Sequence, residues 1–247
     1  MTQTLMLNSF LHDHVTIILV STKSPANIGS AARCMMNMGM HRLVLVDPPR
    51  DRTNQAYRLA AGADYVIRNA IVVSTLADAI TGQQFVIGTS RHQGKLRKNV
   101  HTPHELAHNI IPLLSQNKIA IVFGNEVNGL TRSELSLCHE IISIPSSKAF
   151  PSLNLSHAVL IVAYELHVAS TLRFEPINLK LAGAEDLENF YLHLQKTLEA
   201  IGFLDGDHPE RIMFSLRQIF GRSRLDCRDV KILRGILSNI NRVCAKQ

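Results

Sequence analysis

The sequence predicts an α/β fold: a parallel sheet with flanking helices, followed by a small all-helical C-terminal extension. Between residues 15 and 144, short continuous apolar runs alternate with helical segments. This alternation is typical of parallel strands that are buried on both faces. Beyond residue 184 the helical pattern continues and no strand-like run follows. We therefore expect one α/β domain at residues 1–172, a linker at 173–184 and a helical extension at 185–247.

The predicted strands are short and rich in β-branched residues, beginning with VTIILV at residues 15–20. We predict strands at residues 15–20, 43–46, 70–73, 84–89, 119–123 and 141–144. Helices are predicted between them, at residues 27–40, 54–62, 76–80, 103–114 and 131–138. Pro103 suits a first helical turn, and Thr131 with Glu134 forms a capping box. The extension is predicted to hold helices near residues 185–201, 208–220 and 227–243.

Composition narrows the classes of protein that the chain can belong to. The net charge of +6 favours a polyanionic partner, and 46% hydrophobic residues support a folded core. The four cysteines are scattered and form no C-x-x-C pair, so the sequence indicates neither a disulfide framework nor a zinc site. The N-terminal residues lack the pattern of a secretion signal, and no apolar run is long enough to cross a bilayer. We expect a cytoplasmic protein.

Ligands of parallel sheets bind at the carboxyl ends of the strands, so the loops that follow the strands are the candidate sites. After the first strand, Asn27 can cap a helix, and Gly29 allows the backbone of another element to come close. Arg33 could project from that helix into a site, although an ordinary surface arginine is the alternative. The loop lacks the G-x-G-x-x-G pattern of dinucleotide-binding proteins.

The loops after the fourth and fifth strands carry opposite charges. Residues 88–101 contain four cations and no acid. These cations are Arg91, Lys95, Arg97 and Lys98. Such a loop could follow a phosphate backbone, or it could be a solvated surface. Residues 123–130 read FGNEVNGL, where two glycines permit a tight turn around Glu126.

Residues 144–166, IPSSKAFPSLNLSHAVLIVAYEL, join a polar loop to an apolar helix. Two prolines stiffen the loop, and the pattern assigns Ser152 and Asn154 to the first helical turn. Because apolar residues surround the helix on almost every side, we expect it to be buried, with His157 packed. A rigid polar loop on a buried helix can hold a binding site, and a simple helix cap on a core helix is the alternative.

Taken together, N-x-G-x-x-x-R, F-G-N-E-x-x-G-L and S-L-N-L-S resemble the motifs of the SPOUT class of S-adenosylmethionine-dependent RNA 2′-O-ribose methyltransferases, of the TrmH/TrmJ type. The stretch GFLDGDHPERIMFSLRQIFGRSRL is similar to the C-terminal extension of the TrmJ family. That family methylates the cytidine or uridine at position 32 of the tRNA anticodon loop. The resemblance covers nearly the whole chain and implies a trefoil knot and a homodimer.

The resemblance also implies site residues. The cofactor contacts would be Thr89, Ser90, Arg91, Gly124, Ile144, Pro151, Ser152 and Leu153. The catalytic group would be Arg33, Asn27, Glu126, Ser152 and Asn154, with no metal. Arginine is always protonated, so Arg33 would stabilise charge on the target, and Glu126 would be the alternative proton acceptor.

RNA would be held by Lys95, Arg97 and Lys98, and by an arginine stripe of Arg211, Arg217, Arg222 and Arg224. Low aromatic content favours recognition through RNA shape and backbone. The alternatives are a methyltransferase for another tRNA or rRNA position, a non-catalytic RNA-binding dimer, and a small-molecule α/β enzyme.

Overall fold

A computed structural model describes residues 11, 13–49, 53–91, 100–172, 174–204, 206 and 208–245. The strands are β1 (Val15–Val20), β2 (Arg42–Val46), β3 (Ile71–Val73), β4 (Phe85–Thr89), β5 (Ile119–Phe123) and β6 (Glu140–Ile142). The helices are α1 (Pro25–Asn37), α2 (Thr53–Ala60), α3 (Asp64–Arg68), α4 (Leu76–Ala79), α5 (Pro103–Ile110), α6 (Arg132–Ser136), α7 (Leu155–Thr171), α8 (Ala184–Ala200), α9 (Pro209–Arg222) and α10 (Cys227–Cys244).

In the described part of the chain, the strands form one parallel sheet in the order β3-β2-β1-β5-β4-β6. The predicted parallel α/β fold is confirmed. Because every strand runs the same way, all the carboxyl ends lie at one edge, where the four candidate loops begin. None of the described helices has both the length and the apolar character that crossing a membrane requires.

Each face of the sheet has its own hydrophobic core, because side chains alternate along a strand. In β1, Ile17 and Leu19 face the core that includes residues of α1, α2, α5 and α7. Ile18 and Val20 face a second core, which residues of α4 and α6 cover in part. Ala184 and Phe214 of the C-terminal region complete this second core. The C-terminal extension therefore packs against one face of the sheet, which the sequence did not indicate.

Gly29 lets α1 pack directly against the backbone of α2. A Cβ atom at this position would lie 2.1 Å from the carbonyl oxygen of Ala56, which is too close for any side chain. The close approach that the sequence predicted at Gly29 is confirmed. Both Gly29 and Ala56 are buried in the first core.

Several local predictions were wrong for identifiable reasons. The helix at 103–114 ends at Ile110 and continues as a 3-10 turn, because Pro112 has no amide to donate. The apolar helix α7 is buried on one side only, and Tyr164 on its other side is 52% exposed. His157 is exposed and not packed. The short helix α3 was not predicted.

The strand β6 is held on both sides. Its Ile142 carbonyl accepts a hydrogen bond from the Ser90 amide at 2.9 Å, on the β4 side. On the other side, the His101 amide donates to the Ile141 carbonyl at 3.3 Å, and the Ser143 amide donates to the His101 carbonyl at 3.0 Å. The chain that leaves β4 therefore returns along the outer edge of β6. The trefoil knot implied by the resemblance stays a prediction.

The segment between α7 and α8, predicted as a linker, is tied to the amino ends of the central strands. The buried Asn117 donates its amide to the Leu179 carbonyl and accepts from the Leu181 amide, both at 2.8 Å. The Ala184 amide donates to the Gln83 carbonyl at 2.8 Å. These bonds fix the path of the chain from one face of the sheet to the other. The domain boundaries themselves stay a prediction.

Candidate active site

Glu126 links the loop after β5 to the start of α1. One carboxylate oxygen accepts from the Lys23 amide at 2.9 Å, and the other accepts from the Ser24 amide at 3.2 Å and from Asn27 Nδ2 at 2.8 Å. The first amides of a helix have no partner within the helix, and Ser24 provides no side-chain cap. Glu126 therefore caps α1 from a distant part of the chain, with its negative charge at the positive end of the helix dipole.

Asn27 continues the network to the third motif. Its side-chain oxygen accepts from Asn154 Nδ2 at 3.0 Å, and the Asn154 oxygen accepts from the amide and hydroxyl of Ser156 at 2.9 and 2.7 Å. A carboxylate only accepts, so Asn27 must present its nitrogen to Glu126 and its oxygen to Asn154. We name this network the Glu126–Asn27–Asn154 relay. The direction of each of its hydrogen bonds follows from the ionised state of Glu126.

Glu126 is held in its charged form. Burial alone would raise its pKa, but hydrogen bonds from the amides of Lys23 and Ser24 and from the side chain of Asn27 outweigh burial and lower the pKa below its ordinary value. A carboxylate with a lowered pKa, whose two oxygens both already accept hydrogen bonds, is a weak proton acceptor. Its geometry suits holding loops in place better than removing a proton.

The turn that carries Glu126 is closed by its own residues. The Asn125 side chain accepts from the amides of Val127 and Asn128 at 3.0 and 2.9 Å. A Cβ atom on Gly124 would lie 2.1 Å from the carbonyl carbon of Gly129, so the two ends of the turn meet closely. Gly129 has φ of 69°, which disfavours any other residue there.

A cavity opens beside this turn at the carboxyl ends of β4, β5 and β6. Its walls include all eight of the predicted cofactor contacts. They are Thr89, Ser90, Arg91, Gly124, Ile144, Pro151, Ser152 and Leu153. Its apolar surface comes from Phe123, Leu130, Leu135 and Ile142, and the charged residues along its walls are Arg91 and Glu126. An apolar cleft lined by loop backbone suits a neutral aromatic ring with a few polar substituents.

Comparison with protein families assigns both parts of the chain to known groups. Residues 14–164 match the SpoU rRNA Methylase family, and residues 185–247 match the C-terminal domain of the tRNA methyltransferase TrmJ. The tRNA (cytidine/uridine/adenosine-2′-O-)-methyltransferase TrmJ of Pseudomonas aeruginosa is 39% identical over 244 residues, covering 94% of this chain and 95% of the relative.

The chain belongs to the TrmJ family of SpoU-type methyltransferases.

Two other members match most of the chain. The tRNA (cytidine/uridine-2′-O-)-methyltransferase TrmJ of Escherichia coli K12 is 39% identical, covering 92% of this chain and 95% of the relative. The crystal structure of TrmJ from Zymomonas mobilis superposes with a TM-score of 0.79 at 32% identity, covering 92% of this chain and 98% of that one.

Arg33, the central residue of the predicted catalytic group, lies apart from the relay. It follows Asn27 by six residues on α1, so the two side chains point about 120° apart around the helix. Arg33 is exposed, and within the described residues no hydrogen bond or ion pair engages it. The structure thus brings together Asn27, Glu126 and Asn154 directly, places Ser152 in the cavity wall, and leaves Arg33 on an open helix face.

The predicted arginine stripe of the C-terminal extension needs a correction. Arg217 forms a two-pronged ion pair with Glu188 and lies 4.4 Å from the centre of the Tyr191 ring. Arg224 pairs with the buried Glu140 of β6 at 3.5 Å. Their side chains are 15% and 25% exposed, so neither lies on an open stripe.

The other predicted RNA contacts differ in their positions. Arg211 and Arg222 are exposed and, being eleven residues apart on α9, share one side of the helix. Lys95, Arg97 and Lys98 lie outside the described residues. An additional cationic surface that sequence reasoning missed runs along α10, with the exposed residues Arg228, Lys231, Arg234 and Arg242.

Sequence reasoning also missed much of the cavity wall. Leu130, Leu135, Leu155 and Ala158 contribute to it, and nothing in their residue types separates them from core residues. Asn125 was recoverable, because asparagine before a glycine-containing turn commonly bonds to the backbone that follows.

Proposed function

We propose that the chain is an S-adenosylmethionine-dependent tRNA 2′-O-ribose methyltransferase, acting on the cytidine or uridine at position 32 of the anticodon loop. The observation that carries this proposal is the Glu126–Asn27–Asn154 relay, which joins three separate motifs beside the cavity that Glu126 lines. The activities for which the TrmJ relatives are named support tRNA as the substrate and the ribose 2′-oxygen as the target. Position 32 rests on the family resemblance.

The cavity fits the proposed cofactor. S-adenosylmethionine, when bound, would supply a methyl group on a positively charged sulfur; transfer to the 2′-oxygen would leave that sulfur as a neutral thioether and release the hydroxyl proton. The neutral loop backbone around Gly124 and Leu153 suits adenine and ribose, and Thr89, Ser90 and Ser152 offer hydroxyl groups for polar contacts. The eight predicted contacts are the residues that we propose to hold it.

Catalysis is then mostly a matter of orientation, with few charged groups at the reacting centre. We assign Glu126, Asn27 and Asn154 to positioning, since each already bonds to its neighbours in the relay. Ser152 in the cavity wall can bind the ribose or the methionine part of the cofactor. Arg33 holds the target phosphate and stabilises charge that develops on the 2′-oxygen.

A homodimer is part of this proposal, because Arg33 does not reach the cavity wall of its own chain. The outer side of α7 carries Leu160, Ile161 and the exposed Tyr164. Helix α1 packs against α7, and its Met36 is 40% exposed. An apolar surface on these two helices fits a second copy of the chain. Leu160→Asp should convert the dimer to a monomer in analytical ultracentrifugation and abolish methyl transfer, whereas an active monomer would contradict a shared site.

RNA binding is assigned to the exposed cations of the extension and of the loop after β4. Arg211 and Arg222 on α9 and the cationic side of α10 carry charge that is open to a phosphate backbone. Lys95, Arg97 and Lys98 stay a sequence-based prediction for the same role. A tRNA substrate implies a cytoplasmic location.

The decisive experiment is methyl transfer from S-adenosylmethionine to a tRNA transcript, with the modified nucleoside located by mass spectrometry. Wild-type protein should methylate the ribose at position 32. Arg33→Ala should lower turnover by ~10²-fold or more while cofactor affinity stays near the wild-type value. Arg58→Ala, an exposed arginine on α2, is the matched control and should behave as wild type.

The methyl-transfer assay, together with calorimetric titration of the cofactor, separates the alternative functions. Methylation at another tRNA position, or of rRNA, would keep the chemistry and change the substrate; the rRNA option is suggested by the name of the matching SpoU family. Absence of cofactor binding in calorimetric titration would favour a non-catalytic RNA-binding dimer instead. Equal loss of turnover and cofactor affinity in Arg33→Ala would contradict the role given to Arg33.

A further inference from the structure

The C-terminal extension is joined to β6 through close backbone packing. A Cβ atom on Gly221 of α9 would lie 2.7 Å from the carbonyl oxygen of His139, the residue just before β6. Gln218 of the same helix donates to the Cys138 carbonyl at 3.5 Å. The end of α9 therefore lies directly on the backbone that leads into β6.

A buried ion pair reinforces this junction. Glu140, the first residue of β6, is only 7% exposed, and its carboxylate lies 3.5 Å from Arg224 and 3.9 Å from the His101 ring. Its Oε2 atom has no hydrogen-bond partner among the described residues. A buried carboxylate needs a nearby cation, and Arg224 is the permanently charged one.

Arg224 has an unusual backbone conformation. Its φ of 50° lies in the left-handed region, which a residue with a Cβ adopts at some cost. Its guanidinium also lies 5.6 Å from the centre of the Phe85 ring in β4. One side chain of the extension thus contacts both of the neighbouring strands at this edge of the sheet.

These strands lead directly into the candidate cofactor cavity. Two residues after Glu140, Ile142 lines the cavity and bonds through its carbonyl to Ser90, another wall residue. Ile144 follows in the same wall. A displacement of the start of β6 would therefore move the cavity wall.

We propose that Arg224 is a positioning residue for cofactor binding: by pairing with Glu140 it holds β6, and through β6 the wall formed by Ile142 and Ile144. The C-terminal extension thereby contributes to the cofactor site as well as to RNA binding. This inference rests on the proposed function of the cavity.

The test compares Arg224 with Arg222, two residues away on the exposed side of α9. Affinity for S-adenosylmethionine is measured by calorimetry, and affinity for a tRNA transcript by filter binding. Arg224→Ala should weaken cofactor binding roughly tenfold with tRNA affinity retained. Arg222→Ala should leave cofactor affinity unchanged and weaken tRNA binding. Loss of tRNA affinity alone in Arg224→Ala would overturn the proposal, as would wild-type affinity for the cofactor.

A double-mutant cycle separates positioning from general loss of stability. On a Glu140→Gln background no buried charge requires a cation, so adding Arg224→Ala should not weaken cofactor binding further. An equal effect of Arg224→Ala on both backgrounds would contradict the pairing. Should Arg224→Ala fail to fold, Arg224→Lys keeps the charge without the planar fork, and it should weaken cofactor binding severalfold at unchanged tRNA affinity. Wild-type protein that binds no cofactor would refute the proposed function and this inference with it, whereas wild-type cofactor affinity in Arg224→Ala would overturn this inference alone.

Discussion

Glu126 determines the arrangement of the candidate site at the scale of single residues. Its carboxylate accepts hydrogen bonds from the Lys23 and Ser24 amides just before α1 and from the Asn27 side chain. The bond orients Asn27, which in turn orients Asn154. The sequence predicted these residues as a catalytic group, and their meeting in space follows from strands that end at one edge. It could not predict that Asn27 would bond to Glu126 in place of capping its own helix. That choice depends on a partner about a hundred residues away.

Glu126→Gln tests the relay. A glutamine must present an NH2 group to donors, so at least one hydrogen bond is lost, and we expect the free energy of unfolding to fall by about 2 kcal/mol. Methyl transfer should fall more than roughly tenfold because the motifs separate. Chemical denaturation and the tRNA assay measure these effects. Glu175→Gln, which alters an exposed carboxylate, should change neither, and full activity in Glu126→Gln would contradict the positioning role.

The pH dependence of the relay has a definite sign. The folded pKa of Glu126 lies below its ordinary value, so its contribution to stability is complete above the ordinary carboxylate range and is lost as the pH falls through the folded pKa. Between neutral pH and that range, Glu126 stays charged, and the relay keeps one arrangement.

At the scale of elements, the junction between β4 and β6 depends on a neutral histidine. His139 Nδ1 accepts from the Val86 amide at 3.0 Å, and the His139 amide donates to the Val86 carbonyl at 2.8 Å. Burial, and secondarily the positive charge of Arg217, lower the pKa of His139 to about 4. A protonated ring could not accept from Val86, so acid weakens this junction.

His139→Gln tests this junction by removing the titration while keeping an acceptor. The unfolded chain binds a proton near pH 6.5 and the folded chain only near pH 4, so stability is complete above pH 6.5 and falls as the pH drops from 6.5 to 4. The wild type should lose up to about 3 kcal/mol from this residue across that range. Denaturation curves at each pH should show a flatter dependence for the variant; parallel curves would contradict a neutral His139.

Local sequence signals predicted the bounds of an element well where the residues that determine those bounds lie within the element itself. Thr131 and Glu134 form the expected capping box, and β1 and β5 have the predicted bounds. Burial of α7 was predicted less well, because an apolar helix can face a core or a surface, and the residue types are the same. Only its neighbours decide which side is covered.

At the scale of the whole molecule, Asn117 fastens the segment between the two helical layers. It donates to the carbonyls of Leu113 and Leu179 at 2.9 and 2.8 Å and accepts from Leu181, and it is 1% exposed. Proline and glycine in this segment predicted a linker. The sequence could not reveal that Asn117, just before β5, is the hydrogen-bond partner of the Leu179 carbonyl and the Leu181 amide.

Asn117→Ala should therefore loosen the extension from the sheet. Buried groups on Leu179 and Leu181 would lose their partners, and we expect a loss of about 3 kcal/mol in the free energy of unfolding. Hydrogen exchange should rise in residues 174–183 and in α8. Asn37→Ala, an exposed asparagine on α1, is the control. Unchanged exchange in the segment would show that its course does not depend on Asn117.

The relay also limits how this enzyme can evolve. Its three side chains share one direction of bonding, so an acid in place of Asn27 would set two negative charges face to face, and no change at Asn154 alone could repair that. Descendants of this chain should keep the trio intact or replace it together. Selection should therefore act on these three positions, far apart in the sequence, as one unit.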